Sequence, residues 1–84
     1  MKFEEKIAVM NKICEYSQEI LKGKHIKGDF GYEECKKAIE WEMKRWNRSL
    51  QEIFEKTMNT YSSFTNIIYL ATLNIMILDL EVRR

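Results

Sequence analysis

The fold turns on Asn59-Thr60-Tyr61-Ser62-Ser63-Phe64-Thr65-Asn66 and the run that follows it, Ile67-Ile68-Tyr69-Leu70-Ala71-Thr72-Leu73-Asn74-Ile75-Met76-Ile77-Leu78. Polar, short and β-branched side chains in the octet weaken helix propensity, and Ser or Thr there can cap a new helix. Against a break, the octet contains no Gly or Pro. The apolar phase Leu50, Ile53, Thr57, Tyr61, Phe64, Ile68, Ala71, Ile75, Leu78, Val82 also passes through it without a slip. A turn gives three helices, whereas continuity gives one helix of about 50 residues. A helix that long cannot bury its own apolar face and requires a partner chain. The turn is the favoured reading.

The run after the octet predicts a helix over 64–82 that is apolar almost all round. In a three-helix arrangement two preceding helices cover one side of it, and an exposed patch of the size left over usually marks an interaction site. Burying five such side chains contributes on the order of 7–15 kcal/mol before entropic costs. The expectation is a homo-oligomer, a dimer first, built through Phe64, Ile68, Leu70, Leu73, Ile75, Met76, Ile77 and Leu80. Asn74 and Asp79 in this helix are candidates for polar residues that set the register of such an oligomer. The uncharged stretch beginning at Thr57 is broken by Asn, Ser and Thr. A membrane span needs about 20 mostly apolar residues, so none is expected.

Working back toward the N-terminus, a second helix is expected over 30–58. Ile39, Met43, Trp46, Leu50 and Ile53 alternate at four and three residues, extended by Cys35 and Phe54. Its charges balance, and pairs such as Glu40 with Lys44 fit an ion-paired solvated face. Trp41 and Trp46 lie about 140° apart on a helix and cannot face one core together. Trp46 fits the apolar stripe. Trp41, between Glu40 and Glu42, is either half covered by aliphatic stems or an exposed anchor for a partner.

The first helix is expected over 3–21. Phe3, Ile7, Met10, Cys14 and Leu21 form one stripe and Val9, Ile13, Tyr16 and Ile20 a second beside it, as expected of a helix with more than one neighbour. Between these helices, the loop over 22–31 contains all three glycines of the chain. Gly23 suits the left-handed residue that ends a helix, and Asp29 suits an N-cap. Lys22, Lys24, His25 and Lys27 precede a helix N-terminus, an arrangement that attracts anions. With Tyr32 available to stack on a base, this loop is the candidate site for a phosphorylated ligand or nucleotide.

The whole chain has 84 residues, which allows one helical domain over 1–84. Its 14 Lys+Arg against 13 Asp+Glu leave no basic footprint for nucleic acid, and interleaved glutamates argue the same. Two cysteines make neither a disulfide framework nor a four-ligand zinc site, and a cytoplasmic chain with reduced thiols is expected. The stretch Gly23-Lys24-His25-Ile26-Lys27-Gly28 has P-loop glycine spacing, but Asp29-Phe30 stand where Lys and Ser/Thr must hold phosphate and magnesium. The one His lies in the loop, away from any Glu-x-x-His pair, and no nucleophile motif occurs. No catalytic residue, cofactor or metal is therefore expected. The fold class is all-α: a small bundle of three helices, or a helix packed on one long helix, completed by oligomerisation. The functional expectation is a non-enzymatic interaction protein, an inhibitor or adaptor of a larger protein. Its Lys-, Ile- and Asn-rich composition suggests a bacterial or phage accessory protein acting on a host enzyme or defence system. The alternative is an oligomeric binder that sequesters a phosphorylated ligand at the Lys22–Lys27 loop.

Overall fold

The computed structural model describes residues 2–24, 31–62 and 65–83. It contains α1 (Phe3–Leu21), α2 (Tyr32–Trp46), α3 (Leu50–Asn59) and α4 (Ile67–Val82), with no strand among the described residues. The class is all-α, with four helices where three were expected.

The extra helix comes from a break at Asn47-Arg48-Ser49. Asn47 adopts a left-handed backbone at φ 51°, a conformation Asn tolerates better than most residues. The N–H groups of Asn47 and Arg48 both bond back to the Met43 carbonyl, which closes α2. Two residues on, Ser49 begins α3 with a reciprocal cap. Its hydroxyl accepts from the Glu52 N–H at 3.2 Å, and its own N–H donates to Glu52 Oε1 at 3.5 Å. The expected helix over 30–58 is thus two helices meeting at an elbow.

Within the octet α3 ends at Asn59, and α4 begins just after it at Ile67, which removes the single long helix. Ser62 N–H donates to Thr65 Oγ1 at 2.9 Å, Thr65 N–H to the Ser62 carbonyl at 3.0 Å, and Asn66 Oδ1 caps α4 by accepting from Ile68 N–H at 3.0 Å. The last helix therefore starts at Ile67 rather than 64, and Phe64 lies outside the described residues. At the end of α1, Gly23 takes φ 78° as the expected left-handed stop. Its N–H bonds the Ile20 carbonyl and that of Lys24 bonds Glu19. Gly31 is the cap residue of α2, not Asp29, which lies outside the described residues.

The apolar helix α4 is the centre of the molecule. α1, α2 and α3 each pack on it far more than on one another. Leu70, Ala71, Thr72 and Leu73 are consecutive and all 0% exposed. Four successive helical residues sweep about 300° of circumference, so this turn is enclosed on every side. Val9 and Ile13 of α1, Ile39 of α2, and Leu50, Ile53 and Met58 of α3 close around Leu70 and Leu73. A helix without an amphipathic face is a buried helix; here three helices of the same chain bury it.

Polar bonds fix the register of this packing. Ser17 of α1 is buried; its hydroxyl donates to the Ile13 carbonyl at 2.7 Å, with the Ala71 carbonyl of α4 at 3.3 Å. Asn74 Nδ2 donates to Ser17 Oγ at 3.0 Å. Asn74, expected to register an oligomer, thus registers α1 against α4 within one chain. No buried side-chain N or O among the described residues lacks a partner. At the elbow, Glu42 of α2 accepts from Tyr69 OH of α4 at 2.9 Å and lies 3.6 Å from Arg48 and 3.7 Å from Lys56. This carboxylate joins α2, α3 and α4. Among the described residues, no helix is long and apolar enough to cross a membrane.

Candidate functional site

With the core closed around α4, the residues expected to form an interface separate into two sets. Ile68, Leu70, Leu73 and Ile75 are buried inside the chain's own fold and offer no surface to a partner. The elbow at Asn47–Ser49 supplies the third wall that a three-helix count leaves out. Met76 and Ile77 are half-buried against the core, while Leu80 is exposed, as are Leu78 and Val82 beside it. Burial along α4 thus falls off after Ile75, toward its C-terminal end.

The remaining exposed apolar side chains lie on α1 and α2. On α1 the two stripes have opposite fates. Val9 and Ile13 are buried and Tyr16 and Ile20 half-buried, whereas Phe3, Ile7, Cys14 and Leu21 face outward. Cys14, assigned to a core face from its spacing, is exposed. Met10 and Ser17 lie on the same side of the helix but lean inward, Met10 onto the core cluster and Ser17 onto α4. The outer stripe thus runs beside the core rather than into it.

On α2 both tryptophans are exposed, Trp41 at 61% and Trp46 at 56%. Trp46 has the phase of the core stripe with Cys35 and Ile39, yet it is the last residue of α2 and lies where the backbone turns away. Arg45 stacks over its ring at 5.3 Å. Trp41 is on the outer face. Lys37, Lys44 and Arg45, all exposed, fall within about 60° of it around the helix, and Glu34 is the one acid in that arc. Trp41 is therefore exposed rather than half covered by its neighbours' stems.

A groove of about 430 Å³ opens where the C-terminal ends of α1 and α4 meet the start of α2. Leu21, Tyr32, Leu78 and Val82 supply its apolar lining, and Lys36 and Arg83 bring cations to it. Arg83 Nε bonds Asp79 Oδ2 at 3.2 Å, so Asp79 is an exposed acid paired along its own helix. Of the expected anion-binding residues, Tyr32 lines this groove. Lys22 is exposed at the end of α1, and Lys24 is tied to Glu19 at 3.3 Å. His25 and Lys27 lie outside the described residues.

No group of three His, Cys, Asp or Glu able to hold a metal occurs among the described residues. The Cys35 thiol is buried; desolvation pushes its pKa up, away from a reactive thiolate. Burial together with the Glu42 carboxylate pushes the Tyr69 phenol up as well, which holds it as a donor. No family model, curated protein or solved structure matches this chain.

Proposed function

We propose that this chain is a non-enzymatic interaction protein that grips a larger protein, as an inhibitor or adaptor, with Trp41 as its anchor. The observation that carries this reading is a large aromatic side chain left 61% exposed on a bundle whose core is complete without it. Tryptophan is the residue type most enriched among side chains that dominate interface energies. Its rim of Lys37, Lys44 and Arg45 suits a partner surface with an apolar pocket edged by carboxylates. The small size and Lys-, Ile- and Asn-rich composition fit a bacterial or phage accessory protein directed at a host enzyme or defence system.

The test is affinity purification from the native host with wild type and Trp41→Ala in parallel. The expected result is a stoichiometric protein retained by wild type and lost by Trp41→Ala, with the melting temperature of the two chains unchanged. Retention by Trp41→Ala, or no stoichiometric partner, counts against the reading.

A second reading rests on the groove of Tyr32, Lys36 and Arg83. Lys36, and Arg83 shared with the Asp79 carboxylate of the same groove, beside an apolar lining suit a small anion with an apolar body. Native mass spectrometry of protein purified without refolding reads this directly. A discrete adduct that disappears in Lys36→Glu supports it, and bare protein dismisses it.

A further inference from the structure

The outer stripe of α1 carries a consequence that the exposed tryptophan does not. Phe3, Ile7, Cys14 and Leu21 are all exposed, and Ile7, Cys14 and Leu21 recur every seven residues. Seven-residue spacing keeps side chains on one seam of a helix facing another helix. From Phe3 to Leu21 the seam is about 27 Å long, and Val9, Ile13 and Ser17 already hold α1 to the bundle along the adjoining face.

The charges on the free flank of this seam choose the occupant. Glu4 and Lys22 are 18 residues apart, which is five full turns, so they share one angular position at opposite ends of the seam. Asn11, Glu15 and Gln18 lie along the same exposed flank between them. A second copy laid parallel turns this flank toward the opposite flank of its partner, the side on which Met10 and Ser17 face the bundle, so Glu4 and Lys22 do not meet. Laid antiparallel, each Glu4 meets the Lys22 of the other copy, and each Glu15 meets an Asn11. The seam is therefore self-complementary about a two-fold axis, as a closed dimer requires.

We propose that two copies of this chain pair antiparallel through the outer stripe of α1, with Glu4 of each copy against Lys22 of the other. The two-fold axis then passes close to residue 13. Each Cys14 lies one residue from it, so the two Cys14 Cα atoms are about 3 Å apart along the helix axes. With axes 8–10 Å apart, that separation is within reach of a disulfide or a short bismaleimide. This pairing is independent of the Trp41 reading, because the two surfaces lie on different helices.

The experiment uses the full chain, with mass read by sedimentation equilibrium at low salt and cross-linking by bismaleimidoethane. The expected result is twice the 10.2 kDa chain mass. Covalent dimers should form through Cys14, vanish in Cys14→Ser, and leave the sedimenting mass of that variant unchanged. Ile7→Glu should weaken association at least tenfold, by about the transfer free energy of one buried side chain. Far-UV circular dichroism checks that each variant remains helical. Glu4→Lys and Lys22→Glu should each weaken the dimer severalfold alone and restore it as an equimolar mixture, since every cross pair is then opposite in charge. A monomer at all concentrations overturns the proposal. A dimer that survives Ile7→Glu, or one that gives no Cys14 cross-link, overturns it equally and assigns self-association to another face.

Discussion

Leu73→Ala separates a central α4 from an interfacial one. Leu73 is fully buried, in a cluster contributed by all four helices. Removing three carbons there loses transfer free energy and leaves a cavity that three helices cannot collapse together, a cost of about 2–5 kcal/mol. At roughly 0.05–0.15 kcal/mol per residue, an 84-residue chain has a total stability of about 4–13 kcal/mol. The substitution thus removes a large share of it.

The assay is urea unfolding followed by circular dichroism at two protein concentrations tenfold apart. For so short a chain the denaturant slope is about 1 kcal/mol per molar, so the midpoint should fall by roughly 2 M or more. The loss should be the same at both concentrations, because every atom Leu73 touches belongs to its own chain. Leu80→Ala is the control. Its side chain is half exposed near the end of α4, and the shift should stay within about 0.5 kcal/mol. A Leu73→Ala chain with the wild-type midpoint but a reduced particle mass would refute the central position of α4.

Three further outcomes follow from particular contacts. Ser49→Ala removes the hydroxyl that caps α3 and should cost about 1 kcal/mol in urea unfolding, with Ser49→Asp close to wild type; equal stability of all three would contradict the reciprocal cap. The Tyr69 phenol is held neutral by the fold, so its contribution is complete below its ordinary pKa near 10 and is lost as pH rises beyond that. Ultraviolet difference titration of wild type against Tyr69→Phe should therefore show this phenolate only well above pH 10; ionisation at the ordinary value would deny the bond to Glu42. The two thiols should separate by accessibility, Cys14 reacting with a disulfide reagent in the folded chain and Cys35 only on unfolding. Equal rates would place Cys35 at the surface.

The bounds of α1, the stop at Gly23 and the break between α3 and α4 were legible because each has a local cause. Helical periodicity, a left-handed glycine and side chains able to cap are all written within a few residues. The elbow also has a local cause, in Asn47 and the Ser49-x-x-Glu52 box. It escaped reading because Trp46 and Leu50 on either side continue the 3–4 alternation through the break. A three-residue connection advances the phase almost as a helix does. Trp46 shows the same limit, since periodicity gives the angle of a side chain but not whether a neighbour extends that far along the axis. Glu42 was hidden among balanced charges, because its partners Tyr69 and Lys56 come from other helices. The α1 stripes were both visible as apolar, yet which one faces α4 is decided by three-dimensional packing.

The elbow also governs what the surface can do. An all-round apolar helix needs a covering on every side, and a chain with only two other helices must borrow the remainder from a partner. Breaking one long helix into α2 and α3 turns two walls into three and closes the core from within one chain. Apolar residues still exposed after that closure are not owed to the core: Trp41 and Trp46 on α2, Phe3, Ile7, Cys14 and Leu21 on α1, and Leu78, Leu80 and Val82 at the end of α4. Their substitution by polar residues should leave the fold intact, which is what distinguishes a binding surface from an incomplete core. A Trp41→Ala or Ile7→Glu chain that unfolds in step with Leu73→Ala would contradict that distinction. One that stays folded and loses only its partner, or only its second copy, places function on the outer faces of α2 and α1 and stability on α4.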